Sequence, residues 1–94
     1  MNYQTANEQL VGRNKNSRKL ANNTYLERKD NDIVVRLHST NIITYLQNGD
    51  IVLNSGGWKT STTKDRLNQF APVSISQNRS IWHIGNNQIF RDGM

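Results

Sequence analysis

From Thr24 onward the apolar positions recur at every second residue, the period of a strand with one buried face. In Ile33-Val34-Val35-Arg36-Leu37-His38, Ile33, Val35 and Leu37 point to one side while Val34, Arg36 and His38 point to the other. Two turn signals divide this region. Asp30-Asn31 folds the chain back onto residues 24–29, and Asn48-Gly49, both tolerant of positive φ, joins residues 41–47 to 50–54. With Asn48-Gly49 as a two-residue loop, Leu46 falls opposite Ile51, Tyr45 opposite Val52 and Thr44 opposite Leu53, so cross-strand partners match in character. A link through His38-Ser39-Thr40 then completes a four-stranded antiparallel meander over residues 24–54. One expected face carries Leu26, Ile33, Val35, Leu37, Ile42, Leu46, Ile51 and Leu53. The other carries Tyr25, Val34, Arg36, His38, Ile43, Tyr45 and Val52.

After the meander, Ser55-Gly56-Gly57 leads through Trp58-Lys59 to a predicted helix capped by Thr62, with Asp65 three residues on, Leu67 and Phe70 on one face, and Pro72 as its stop. Alternation returns in residues 73–76 and 81–84, and Asn86-Asn87 turns the chain into residues 88–91. Ahead of the meander, residues 1–22 read as a basic N-terminal arm with room for a short helix around 5–11 that Gly12 stops. The expected fold is therefore α+β, mostly β: an antiparallel four-stranded meander, one short helix and a small C-terminal β-element, with residues 23–94 forming a single β-rich domain.

Composition narrows the function classes. Ninety-four residues suit one hydrophobic core and leave no room for a second. Cysteine is absent, which removes disulfides and thiolate metal sites and makes a reducing cytoplasm the expected location. No apolar run approaches the roughly 18 residues of a membrane span, and residues 1–9 lack the pattern of a signal peptide. Twelve basic residues against seven acidic ones give a net charge of +5, which favours polyanionic partners.

Several stretches carry a resemblance: Asn23-Thr24-Tyr25-Leu26, the strand from Ile33 to His38, and above all Gly56-Gly57-Trp58-Lys59-Thr60-Ser61-Thr62-Thr63-Lys64-Asp65-Arg66, followed by Ile81-Trp82-His83-Ile84 and Phe90-Arg91-Asp92-Gly93-Met94. Together they cover about three quarters of the chain, and the chain resembles a family of small bacteriophage proteins of uncharacterised function. The resemblance implies a phage origin and brings no catalytic residue with it.

Candidate chemistry is sparse. His38 and His83 lack the spacing of metal ligands, so no metal or cofactor is expected. Ser61, Thr62 and Thr63 serve as nucleophiles only beside a base, whereas a helix cap explains them without one, and no enzymatic activity is expected. The loop at Gly56-Gly57 lacks the spacing and the Gly-Lys end of a phosphate-binding loop. The richer set is Arg36 with Tyr25, Tyr45 and His38 on one sheet face, Trp58, Lys59, Lys64 and Arg66 after it, and Arg13, Lys15, Arg18 and Lys19 in the arm. Cations interleaved with aromatic rings suit phosphates and bases. The competing structural account has Trp82, Ile84 and Phe90 covering that face against Val34, Ile43, Tyr45 and Val52, with Trp58 plugging its own loop. The expected partner is nucleic acid, with a host protein as the alternative, and the apolar content of both faces leaves a homo-oligomer open.

Overall fold

The computed structural model describes residues 1–11, 16–57, 60–71, 73–78, 81–84, 88–90 and 92–93. Asn2 opens the first helix, its side-chain oxygen accepting from the Thr5 backbone N–H at 2.9 Å, which satisfies a donor the helix itself leaves unpaired. Helix α1 (Tyr3–Gln9) thus begins two residues before the expected start and sends Ala6 and, just beyond its end, Leu10 into the core. Strands β1 (Ser17–Ala21), β2 (Thr24–Lys29), β3 (Asp32–Leu37), β4 (Thr40–Tyr45) and β5 (Ile51–Leu53) follow, and they form one antiparallel sheet in chain order. The expected four-stranded meander is present with a fifth strand on its leading edge, formed by the part of the arm at Ser17–Ala21. Asn22-Asn23 makes that hairpin possible in the same way as Asp30-Asn31 makes the next one. Asn23, Asp30 and His38 have φ of 54°, 55° and 54°, and Asn, Asp and His are the side chains that best tolerate this left-handed backbone.

Register departs from expectation at two places in β4. The loop between β4 and β5 closes at Leu46 and Asp50, with Leu46 N–H donating to the Asp50 carbonyl at 2.8 Å and Gly49 N–H to the Leu46 carbonyl at 2.9 Å. It is a three-residue loop with Gly49 at φ 100°, so Tyr45 pairs with Ile51, Thr44 with Val52 and Ile43 with Leu53, one residue out of the expected register. At the other end of β4 the pairing with β3 slips between Val35 and Arg36, which leaves Ile42 as an extra, bulged residue. A one-residue insertion reverses the faces beyond it. Ile43 and Tyr45 therefore lie on the core face with Leu26, Ile33 and Val35, and Ile42 is buried beside them. The assignment of Tyr45 and Ile43 to the face of Tyr25 and Arg36 is corrected accordingly.

Helix α2 (Ser61–Phe70) is capped by Thr60, two residues earlier than expected, because Thr60 is the residue with extended backbone and its hydroxyl accepts from Thr63 N–H at 3.2 Å. Its last turn leaves through Ala71, whose extended φ and ψ are what a residue before proline adopts. Asn68 then clamps the next strand, its amide donating to the Ile75 carbonyl at 2.9 Å and its carbonyl accepting from Ile75 N–H at 2.5 Å. Strands β6 (Ile75–Asn78), β7 (Ile81–Ile84) and β8 (Gln88–Ile89) form the small C-terminal sheet. Trp82 and Phe90 meet there with ring centroids 5.7 Å apart. Both belong to one buried cluster with Ala6, Leu10, Leu26, Ile43, Tyr45 and Leu67, so the two sheets and two helices share a single core. Trp82 and Phe90 thus join the core that contains Ile43 and Tyr45, on the face opposite Tyr25 and Arg36.

Candidate functional site

A cleft of about 480 Å³ opens where the β3–β4 turn meets the first turn of α2. Its apolar wall comes from Leu37 and Ile42, and its polar groups come from His38, Ser39, Thr40, Ser55, Thr60, Thr62 and Thr63. The chain is held in this shape by a chain of hydrogen bonds. Ser55 donates both its N–H (2.7 Å) and its hydroxyl (2.8 Å) to Asp92, while Gly57 N–H donates to the Ser55 hydroxyl at 3.2 Å. Gly93 N–H, next to Asp92, donates to the Leu53 carbonyl at 2.7 Å and ties the tail to β5. Gly56 has φ 64°, and a Cβ there would lie 2.6 Å from Thr40 Cγ2, so only glycine lets the loop approach Thr40 this closely.

Two arginines reach the same end of the sheet in different states. Arg36 binds Glu27 through two bonds of 2.9 and 3.0 Å, donates to the His38 carbonyl, and lies 4.9 Å from the Tyr25 ring centre. The hydrogen bond from Arg36 holds the Glu27 carboxyl below its ordinary range, and the same bond holds the Arg36 guanidinium above its own. Arg66 instead donates Nε–H to the Thr24 hydroxyl at 3.0 Å, and Thr24 pairs with Leu37 of the cleft wall. Among the described residues Arg66 has no acidic partner.

The remaining sequence candidates divide between several places. Arg18 and Lys19 are exposed on β1, with Lys19 directly opposite Tyr25 and neither in an ion pair among the described residues. Lys64 leans from α2 toward Gln77, 3.5 Å from its side-chain oxygen. Tyr45 is fully buried, its hydroxyl donating to the Phe70 carbonyl, and burial raises its ionisation well above the ordinary range. Arg13, Lys15, Trp58 and Lys59 lie outside the described residues. The fold therefore gathers Tyr25, Arg36 and Lys19 on the outer face and Arg66 beside the cleft, and it withdraws Tyr45 from any contact surface. Sequence reasoning missed Ser39, Thr40, Ser55 and Thr60 as cleft residues. They come from three separate segments, and the only local hint was the density of hydroxyl side chains around the turn and helix start.

Among the described residues no three His, Cys, Asp or Glu side chains converge as metal ligands, and no helix is long and apolar enough to cross a membrane. The architecture defines a small, mostly β, antiparallel α+β protein with a cleft rich in hydroxyl groups at one sheet end and a basic strand at one sheet edge. The chain belongs to the Kyanoviridae Gp96 protein family, a bacteriophage family whose model matches residues 2–93. The expectation of a phage protein family is met at that level. No curated protein and no solved structure matches the chain.

Proposed function

We propose that this protein is a non-enzymatic phage accessory protein that binds nucleic acid in the host cytoplasm. The observation that carries the reading is the pair Arg18 and Lys19, exposed on an edge strand without an acidic partner among the described residues. By sequence, Arg13 and Lys15 precede them in a segment with no acid, so four cations fall within residues 13–19. Arg18, level with Leu26, and Lys19, level with Tyr25, flank the two sides of this edge, and a segment so rich in cations attracts phosphates; the attraction is screened by salt because binding releases condensed counterions. Tyr25, opposite Lys19, adds a ring on which a base can stack. A non-catalytic role agrees with the hydroxyl partners in the cleft: Thr60 and Thr63 bond each other and cap the helix, and the buried Ser55 hydroxyl shares the Asp92 oxygen with its own backbone N–H, the arrangement of a loop tie.

Fluorescence anisotropy with single- and double-stranded DNA and RNA tests this. Binding is expected at low salt and should fall with added salt. Replacing Arg18 and Lys19 together by alanine should weaken all sequences alike and lower the salt slope by about 2, roughly one unit per lost phosphate contact. No binding to any of the four nucleic acids at low salt would remove the reading. One observation favours a host protein as partner instead: β1 is an edge strand, exposed along Ser17, Arg18 and Lys19, and open to an added strand. A stoichiometric, nuclease-resistant host protein captured by the intact chain but not by a proline variant at Arg18 would favour that alternative.

A further inference from the structure

The cleft between the β3–β4 turn and α2 forms no part of the basic segment, and among the described residues no Asp, Glu, Lys or Arg lines it. We propose that it takes one nucleotide, with base and sugar inside and the phosphate at the mouth beside Arg66. Taking that nucleotide as one unit of a bound single strand rests on the nucleic-acid reading above.

Three observations point to this class of ligand. First, about 480 Å³ lies within the roughly 300–1,000 Å³ typical of small-molecule sites. Second, the wall is divided: Leu37 and Ile42 are buried and offer an apolar surface to a flat ring, while His38, Ser39 and Thr62 are exposed and offer donors and acceptors at the rim. Third, a cation sits outside the cleft rather than in its wall. Arg66 is one helical turn from Thr62 and Thr63, and its Nε–H is held by Thr24, directly across the strands from Leu37. Its positive charge has no acid against it among the described residues, in contrast to Arg36, which Glu27 neutralises. A wholly apolar ligand would leave the exposed polar rim of His38, Ser39 and Thr62 unused and the Arg66 charge without a counter-charge among the described residues, and a small inorganic anion would leave the apolar wall wet. A nucleotide has an apolar face, polar edges and one anionic group in that order. Hydroxyl and imidazole groups can serve the edges of different bases, which implies weak base preference. A paired base inside a duplex cannot enter the cleft, so single strands should be preferred.

The test uses the intact chain labelled with ¹⁵N, titrated separately with adenosine and uridine monophosphates and with an eight-nucleotide single strand. Amide shifts concentrated at Ser39, Thr40, Ser55, Thr62 and Thr63 are expected with both kinds of probe. Thr62→Trp fills the cleft from the helix side without touching the Thr60–Thr63 cap, and Ser39→Trp fills it from the turn side. Each variant, once its spectrum shows the native fold, should abolish the mononucleotide shifts and weaken single-strand binding about tenfold while leaving duplex binding unchanged. Shifts in the cleft with mononucleotides but no binding of any strand would make the source a free nucleotide, retaining the site and removing the nucleic-acid reading. Strand binding without cleft shifts, unaffected by both tryptophan variants, would overturn the nucleotide site and leave the basic segment standing. Absence of cleft shifts with every probe also overturns it.

Discussion

The two faces of the five-stranded sheet are made from the same alternating strands and end in opposite conditions. On the inner face Leu26, Val35, Ile43 and Leu53 form one buried cross-strand row, with Ile33 and Tyr45 beside it, and helix and C-terminal sheet residues close over them. On the outer face Lys19, Tyr25 and Arg36 form a row that no described element covers, with Glu27 beside it. The inner face gains its stability from area removed from water, roughly 1.5–3 kcal/mol for each large side chain fully buried. Apart from the buried Val34, the outer face has an ion pair, a ring contact and solvated cations, each worth little in solvent. The difference teaches that stability and contact chemistry have been separated by strand parity, and that one bulged residue, Ile42, decides to which side Tyr45 belongs.

The sharpest way to break this comparison is at Tyr45. Tyr45→Ala should cost about 3–5 kcal/mol, as for other buried aromatics, whereas Val52→Ala on the outer face should cost about 1 kcal/mol. Chemical denaturation of both variants measures the contrast, and equal losses would contradict the parity assigned to β4. Tyr45→Phe isolates the hydroxyl, and losing its bond to the Phe70 carbonyl should cost about 1 kcal/mol. The same hydroxyl gives a pH signature. Burial favours its neutral form, so its folded-state ionisation lies above the ordinary value of 10.0. The stability this contributes is fully present below pH 10 and is lost as pH rises above it, because the unfolded chain releases the proton first. Wild type should therefore lose stability more steeply than Tyr45→Phe between about pH 10 and 12.

A smaller effect is expected at the loop that shapes the cleft. Gly56→Ala forces a Cβ into the left-handed region and against the Thr40 methyl at 2.6 Å. The backbone conformation alone costs about 1–2 kcal/mol, and the contact adds to it unless Thr40 shifts. Shortening the obstacle with Thr40→Ser should recover part of the loss, so the double variant should be more stable than the sum of the two single changes. Additive effects by thermal denaturation would mean that the loop and turn do not press on each other as described. Gly57, with φ 82° and open space around its Cβ position, should show the backbone cost alone.

Much of this was legible in the sequence because it is local. The period-two runs and the Asp30-Asn31 and Asn48-Gly49 signals identify the meander, and the short C-terminal β-element follows from the same alternation. Other features were not legible, each for a physical reason. The length of the Asn48-Gly49 loop depends on whether glycine sits second in a two-residue turn or last in a three-residue one, and both are good turns. The bulge at Ile42 leaves no mark in composition, since Ile42 and Ile43 are both apolar and either parity looks buried. The basic residues of β1 hide a strand whose partner is found only once Asn22-Asn23 is recognised as a hairpin turn. The cleft was the least legible part, because Ser39, Ser55 and Thr60 meet only through tertiary packing. Arg36 and Arg66 look alike in the sequence, and only the register distinguishes the arginine set diagonally across from Glu27 from the one set beside Thr24.

The finest distinction between the faces is the Glu27–Arg36 pair itself. Its side chains remain about a third exposed, at 29% and 33%, so solvent screens the pair and Glu27→Gln should cost at most about 1 kcal/mol at neutral pH. The sign of its pH dependence follows from the depressed ionisation of Glu27. Arg36 stabilises the charged carboxylate in the folded state, so this contribution is present above the ordinary value of 4.5 and is lost as pH falls through the lower folded-state value. Wild type and Glu27→Gln should therefore differ at pH 7 and converge in acid, and both should converge at pH 7 in high salt. The substitution also releases the Arg36 guanidinium on the outer face, next to Tyr25 and in line with Lys19. If the outer face meets phosphates, Glu27→Gln should tighten nucleic-acid binding modestly even as it lowers stability, and anisotropy and denaturation on the same preparation would reveal the two effects with opposite signs. A variant that lost both affinity and stability would instead make the ion pair a support for the contact surface, and the outer face would no longer be the place where charge is free to act.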